Sequence, residues 1–510
     1  MSKCLGIELG STRIKTVLID ECANVLAQGN YEWENSLVDG MWSYSLHEVE
    51  KGLQASYTKM LADYGKPIKH LDAIGVSAMM HGYLAFDKHD NLLVPFRTWR
   101  NTNTAQAAEE LSRLFHFNIP MRWSVAHFYQ AVLNGEQHVK DIAYLTTLAG
   151  YVHYRLTGNK VIGVGDASGM FPVDNGDYNA DKLAKFDALL RSHGHVRKFG
   201  EILPKILLAG DNAGMLTTEG ARLLDKSGTL QAGAILCPPE GDAATGMVAT
   251  NSILPRTANI SAGTSAFLMV VMEKSLDTPH KEIDVVTTPT SEQVAMVHVN
   301  NFTNEINAWA SVFAEAISLV GVKCDKNELY TKLFECSCQS DKDIGKLVGY
   351  NFLSGEPIAE IENGRPLFAR MSDGRLTLAN FMQMQIYSAL SALAMGVEIL
   401  QTEKVGIDSI CGHGGFFKTE FVGQNAMSAA VGAPVTVYHN AGEGGAWGMA
   451  ILALYLLNKQ TPLADFLQNL FANASKTTVT ATAQEKQKFA KWLQRYKQGM
   501  VVEKTASEVL

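Results

Sequence analysis

Four glycine-centred turns carry the residues of this 510-residue chain whose types and spacing suit chemistry. In the first, Glu8-x-Gly10-Ser11-Thr12-x-x-Lys15, a carboxylate near a strand end precedes a turn of backbone N–H groups, hydroxyls and a lysine. Such a set can take phosphate oxygens while the carboxylate positions a cation through water. An ordinary hairpin turn with a buried-edge carboxylate has the same spelling. Gly263-Thr264-Ser265 repeats the device, and two such turns could grip one polyphosphate from both sides. The third turn, Pro238-Pro239-Glu240-Gly241-Asp242-Ala243-Ala244-Thr245-Gly246, fixes Asp242 at the start of a small-residue helix. An aspartate so placed can take the proton of a hydroxyl that attacks phosphorus. It can equally cap the helix, and the two roles are compatible. The fourth turn, Cys411-Gly412-His413-Gly414-Gly415, offers little side chain, so a base or ribose can lie against its backbone. A plain strand-to-helix turn is the alternative. The later stretch Ala441–Ala450 is built of small residues and reads as close helix–sheet packing.

Other chemistries lack their signatures. The chain has no Gly-x-x-x-x-Gly-Lys-Ser/Thr loop, no Gly-x-Gly-x-x-Gly after a strand and no Gly-x-Ser-x-Gly elbow, and His47-Glu48-Val49-Glu50-Lys51 lacks a second histidine. These absences argue against a P-loop NTPase, a dinucleotide-binding dehydrogenase, a serine hydrolase and a zinc peptidase. Lysine and arginine number 44 against 52 acidic residues, a net charge of −8 with no basic stripe, which argues against a nucleic-acid partner. Seven scattered cysteines suit a reducing compartment, and Cys336-x-Cys338 has no second pair to complete a zinc site. No leader is read at Met1, and the apolar stretch Trp447–Leu457 is too short to span a bilayer. The expectation is a soluble cytoplasmic protein with no membrane association.

These turns need elements to hold them. Cys4–Gly10 and Thr16–Ile19 read as two strands of a hairpin, and Ala258–Met272 repeats that pattern about 250 residues later. Two copies of one device, each opening a half of the chain, predict a duplicated fold. Apolar recurrence at i, i+3, i+4 predicts helices over Leu46–Met60, Thr104–Phe115, Leu183–Ser192, Asn304–Val320, Leu378–Thr402 and Lys418–Val431. Short strands Ala73–Val76 and Asp408–Cys411 precede turns and helices, the α/β pattern. Polar Asn251-Ser252 and then Pro255-Arg256 suggest a boundary, giving domains 1–250 and 251–460 and a helical tail 461–510. The tail's Ala481–Gly499 is a charged amphipathic helix rich in Lys and Gln and reads as a solvated surface helix, with a partner-binding helix as the alternative.

In order and kind, these landmarks resemble the FGGY carbohydrate kinases. Gly6-Ile7-Glu8-Leu9-Gly10-Ser11-Thr12-Arg13-Ile14-Lys15 matches the family's opening phosphate motif, with Glu8 in place of aspartate. Ala73–Gly82 is similar to the sugar-contacting stretch of the xylulokinase members, including Met80-His81-Gly82. Trp99 stands where that group has its tryptophan, although Asn101 and Asn103 replace its charged Asp and Arg. Tyr154–Gly158 and Gly165–Gly169 are similar to the next landmark. Asp242 falls on the catalytic base, followed by Ala243 rather than asparagine. Gly263-Thr264-Ser265 matches the second phosphate loop, and Gly414-Gly415, with Thr419 beyond it, the adenosine loop.

The resemblance implies an α/β fold of two duplicated actin-like, hexokinase-like (ribonuclease H-like) domains with an interdomain cleft. It implies ATP and Mg²⁺ as cofactors, the cation being held through water by Glu8 and Asp242. Gly10, Ser11, Thr12, Lys15, Gly263, Thr264, Ser265, Gly414, Gly415 and Thr419 would contact the nucleotide. Met80, His81, Gly82, Trp99 and Asp242 would contact a small sugar; a satisfied core histidine is the other reading of His81. A pentulose such as D-xylulose is the expected acceptor, with L-ribulose or another ketose or polyol as the alternative within the family. A non-catalytic actin-like regulator is the alternative outside it, and a homodimer is left open.

Overall fold

The computed structural model describes residues 2–438 and 444–510. Compactness divides the chain into two units. The first comprises Met1–Ile253, Pro279–Val294 and Glu443–Asn473, and the second Leu254–Thr278, Ala295–Gly442 and Ala474–Leu510.

In the first unit the hairpin forms as the sequence predicts. Cys4–Leu9 pairs antiparallel with Arg13–Ile19, which pairs antiparallel with Val25–Glu32. On its other edge Cys4–Leu9 runs parallel to Ala73–Ala78, which runs parallel to Ile235–Leu236, and Gly214–Met215 closes that side antiparallel. The central strands are buried on both faces and read accordingly as near-continuous apolar runs. Helix Leu46–Tyr64 starts at Ser45, whose side chain accepts the Glu48 N–H, and stops at Gly65 in the left-handed region (φ +75°).

The second unit repeats the scheme. Thr257–Ala262 pairs antiparallel with Ala266–Val271 and parallel with Ser409–His413. Val435–Tyr438 joins parallel to Ser409–His413, and Lys476–Val479 closes antiparallel. Outward from each opening strand, the order is therefore parallel, parallel, antiparallel on one side and an antiparallel hairpin on the other. That correspondence is the duplication inferred from the two turns.

Two expectations need correction. The helix expected over Lys418–Val431 covers Val422–Val431: Gly415–Phe417 forms a short 3₁₀ turn, and Phe421 has φ +66°, which no α-helix accommodates. The tail helix runs over Ala483–Val509 and is not merely solvated. Phe489, Trp492, Leu493, Tyr496 and Met500, at i, i+3, i+4, i+7 and i+11 on one helical face, are buried. Trp492 Nε1 donates to Ser391 Oγ at 3.0 Å, and Phe489 meets Tyr387 edge-on. An amphipathic pattern marks the face, but not the helix Leu378–Thr402 that covers it.

The small-residue stretch near the end of the first unit forms helix Gly444–Leu457, pressed against the sheet; Ala441–Glu443 lie outside the described residues. A Cβ on Gly6 would stand 1.9 Å from the Ala446 carbonyl oxygen, and one on Gly75 would stand 2.7 Å from Met449. Gly448 is equally tight, 2.1 Å from the Thr245 carbonyl. No helix among the described residues is long and apolar enough to cross a membrane. Gly6→Ala is expected to lower unfolding stability by about 3 kcal/mol, because backbone must move. Gly65→Ala, which meets open space but keeps a positive φ, is expected to cost only about 1 kcal/mol. Urea unfolding of the two variants measures the difference.

Candidate active site

Asp242 is placed by the sheet. Glu240 and Gly241 pair in parallel with Ser77 and Ala78, and helix Asp242–Ala249 begins at the next residue. The carboxylate therefore stands at the C-terminal ends of the central strands, where open α/β sheets bind ligands. Gly241 is required: a Cβ there would lie 2.1 Å from Met80 Cγ. Asp242 Oδ1 accepts the N–H of Met80 at 3.2 Å and of Ala243 at 3.0 Å. No hydrogen bond to the second oxygen is found among the described residues. The residue is accessible at the surface yet crowded by protein. Desolvation raises its pKa, while the Met80 and Ala243 amides and the Arg122 guanidinium oppose the rise. The sequence allowed a cap or a base; the N-cap position falls on Gly241, and Asp242 is instead the first helical residue, with no side-chain cap bond.

Three further acids surround it. Glu8, on strand Cys4–Leu9, faces Lys15 across the hairpin register and accepts the Ala446 N–H at 3.1 Å. Burial first, then the charge of Asp242, pushes its pKa up to about 7. Asp166 is fully enclosed, and its Oδ2 accepts the Thr147 hydroxyl at 2.6 Å. Its Oδ1 has no partner among the described residues, and burial raises its pKa to about 7. Glu240 accepts the Asp166 N–H at 2.9 Å and is pushed by burial to about 8. Asp166 and Glu240 lie inside quoted motifs but were given no role from sequence.

Met80, His81 and Gly82 follow strand Ala73–Ala78 and do reach this site. Met80 contributes its amide to Asp242, while its side chain packs under Gly241. His81 is buried with φ +71°, an unusual conformation for a non-glycine residue. The strain is held by Gly169 O, 3.3 Å from Nδ1, and by the Trp123 ring stacked at 6.3 Å. Gly82 has φ +95°; its carbonyl accepts the Ser124 hydroxyl at 2.6 Å, and its N–H donates to Arg122 O at 3.3 Å. Trp99 lies in a turn, 37% exposed. Sequence reasoning missed Arg122, which pairs with Asp284, and Asn118, which donates to the same carboxylate at 3.0 Å. No short-range signal joins residues about 160 positions apart.

The first turn is built to keep its backbone still. Gly10 N donates to Arg13 O at 2.9 Å, Trp33 Nε1 to Gly10 O at 2.8 Å and the Tyr44 hydroxyl to Ser11 O at 2.5 Å. Trp33 and Tyr44 stack at 4.2 Å. The side chains of Ser11 and Thr12 are left exposed.

In the second unit, Gly263 N donates to Ser265 O at 2.9 Å, and the Thr303 hydroxyl holds Gly263 O at 2.7 Å. Gly263, Thr264, Gly415 and Lys418, together with Asn307, Lys326 and Tyr330, line a cavity of about 790 Å³. Among the described residues the lining includes two lysines and no carboxylate, so its field favours an anion. Gly414 cannot be replaced, since its φ is +107° and a Cβ would lie 2.4 Å from Ala262 O. Thr419 is buried with its hydroxyl unpartnered among the described residues. These features fit a nucleotide, and the oxygen-only donors Glu8 and Asp242 fit Mg²⁺.

Comparison with known proteins agrees with this geometry. Family models described as the N- and C-terminal domains of the FGGY family of carbohydrate kinases match residues 3–233 and 258–457. The xylulose kinase of Haemophilus influenzae is 21% identical over 88% of this chain and 90% of its own. That of Klebsiella pneumoniae is 25% identical over 55% of this chain, and the match spans only 56% of the relative. A gluconate kinase structure from Lactobacillus acidophilus superposes with a TM-score of 0.79 at 16% identity, covering 100% of this chain and 99% of the other.

The buried acids make stability depend on pH. An acid whose folded pKa lies above its unfolded value keeps its proton in the fold and loses it on unfolding, so stability falls as pH rises between the two values. For Glu240 that window runs from about 4.5 to about 8. Glu240→Gln is expected to flatten the fall in thermal midpoint between pH 5 and 8. An unchanged slope would show that Glu240 is not protonated in the fold.

Proposed function

The chain belongs to the FGGY family of carbohydrate kinases, and from that premise we propose that it transfers the γ-phosphoryl group of ATP to the terminal hydroxyl of a sugar. The proposed acceptor is a pentulose such as D-xylulose, giving the 5-phosphate. The observation that carries this reading is Asp242, anchored through one oxygen by the Met80 N–H and left with the other for a ligand. In the proposed reaction that oxygen takes the proton of the attacking hydroxyl as its O–P bond forms, and the bond to ADP breaks. The Met80 and Ala243 amides and Arg122 favour the ionised base against its desolvation. Met80, His81, Gly82 and Trp99 are the proposed sugar neighbours, the strained His81-Gly82 turn fixing the floor. The second unit's cavity would hold the nucleotide, with Gly263, Thr264 and Ser265 near the phosphates and Gly414, Gly415 and Thr419 near the nucleoside. Gly10, Ser11, Thr12 and Lys15 would contact phosphate in the first unit. Bound Mg²⁺, positioned through water by Glu8 and Asp242, would neutralise phosphate charge. The curated relatives named xylulose kinase support the pentulose over other acceptors.

An ADP-release assay against pentuloses, hexuloses, polyols and sugar acids tests the reading. D-Xylulose is expected to lead the panel, and release that no acceptor stimulates would refute it. Asp242→Asn is expected to lower kcat about a thousandfold while sugar and nucleotide still bind in calorimetry; near-normal turnover would remove Asp242 from the role of base.

A further inference from the structure

Four carboxyl groups, Glu8, Asp166, Glu240 and Asp242, gather at the acceptor site. Glu8 and Asp166 each feel the charge of Asp242, and Glu240 feels that of Asp166. Two cations oppose them: Lys15, which acts on Glu8, and Arg122, which acts on Asp242. Lys15 faces Glu8 across the hairpin. Arg122 stands beside the His81-Gly82 turn, its carbonyl accepting the Gly82 N–H, and it is the residue a negatively charged acceptor would meet.

Its guanidinium already has a counter-ion. Arg122 pairs with Asp284, whose side chain is 10% exposed. The other oxygen of Asp284 accepts the Asn118 side-chain N–H at 3.0 Å, and Asn118 also donates to Ile283 O at 3.0 Å. Asp284 is thus held from two sides. Lys281, the nearest cation along this segment, is 72% exposed and 3.9 Å from Glu282, so water and its neighbour screen it.

We infer that Asp284 is a specificity-determining residue that, by neutralising Arg122 beside the acceptor site, admits uncharged sugars and rejects sugar acids. The inference rests on the kinase reading of this site and narrows its substrate class. A carboxylate on the acceptor would approach Asp242 with the neighbouring guanidinium already balanced by Asp284, and like charges brought together select against that ligand. A neutral ketose or polyol loses nothing, because its hydroxyls can donate to the same carboxylates.

Wild type, Asp284→Asn and Arg122→Gln are compared by kcat/KM for D-gluconate and for the best neutral acceptor, with a thermal melt to show that each is folded. In wild type the efficiency on gluconate is expected to be at most about one-hundredth of that on the neutral sugar. Asp284→Asn frees the guanidinium and is expected to raise the gluconate-to-neutral ratio at least tenfold. Arg122→Gln leaves Asp284 uncompensated and is expected to lower the ratio further. A purely structural ion pair would change both efficiencies together and leave the ratio alone. Comparable efficiencies in wild type, an unchanged ratio in folded Asp284→Asn, or an unchanged or raised ratio in Arg122→Gln overturns the inference while the kinase reading stands. If no acceptor stimulates ADP release, the kinase reading fails. Calorimetric titration with gluconate and D-xylulose then decides the inference, and equal or absent binding of the two overturns it.

Discussion

One hydrogen bond organises the first unit's chemistry: the Met80 N–H to Asp242 Oδ1. It joins the residue just past strand Ala73–Ala78 to the first residue of the helix that follows Glu240–Gly241. Its length depends on those strands lying side by side and on Gly241 lacking a side chain. The sheet in turn depends on helix Gly444–Leu457 lying backbone-close against Gly6 and Gly75. The Asp242 carboxylate is thus located by Gly241 beside it and by two glycines, Gly6 and Gly75, far from it in sequence. Backbone contacts cannot rotate as side chains can, so the position is rigid.

Charge divides the two units. The first gathers Glu8, Asp166, Glu240 and Asp242 within electrostatic reach of one another, and burial keeps their proton affinities high. The second presents a cavity bearing lysines. A polyhydroxyl compound suits the former, since carboxylates accept from hydroxyls, and a polyphosphate suits the latter. The overall charge of −8 describes neither region.

Much of this was legible in the sequence because it is local. The two hairpin turns, the helix after Asp242 and the Met80-His81-Gly82 landmark depend on residues within a few positions of one another. What stayed hidden depends on long-range meetings. The Arg122–Asp284 pair and the Thr147–Asp166 bond need the fold before they exist. The return of Glu443–Asn473 to the first unit has no marker in composition. The tail helix differs for another reason: its apolar face is legible, but the element that covers it, helix Leu378–Thr402, lies about a hundred residues away along the chain. At Phe421 a positive φ, invisible in a residue type that rarely adopts it, delayed the helix start.

The repeated hairpin holds a record of divergence between its copies. Counting back from the turn glycines, Glu8 lies two residues before Gly10 and Ser261 two before Gly263, and both occupy opening strands in parallel ladders. One position in a shared scaffold therefore bears a carboxylate in one copy and a hydroxyl in the other. A symmetric ancestor with the same residue in both would have offered the same ligand environment twice. The two halves thus present different donor chemistry at one shared place, with no difference in strand order.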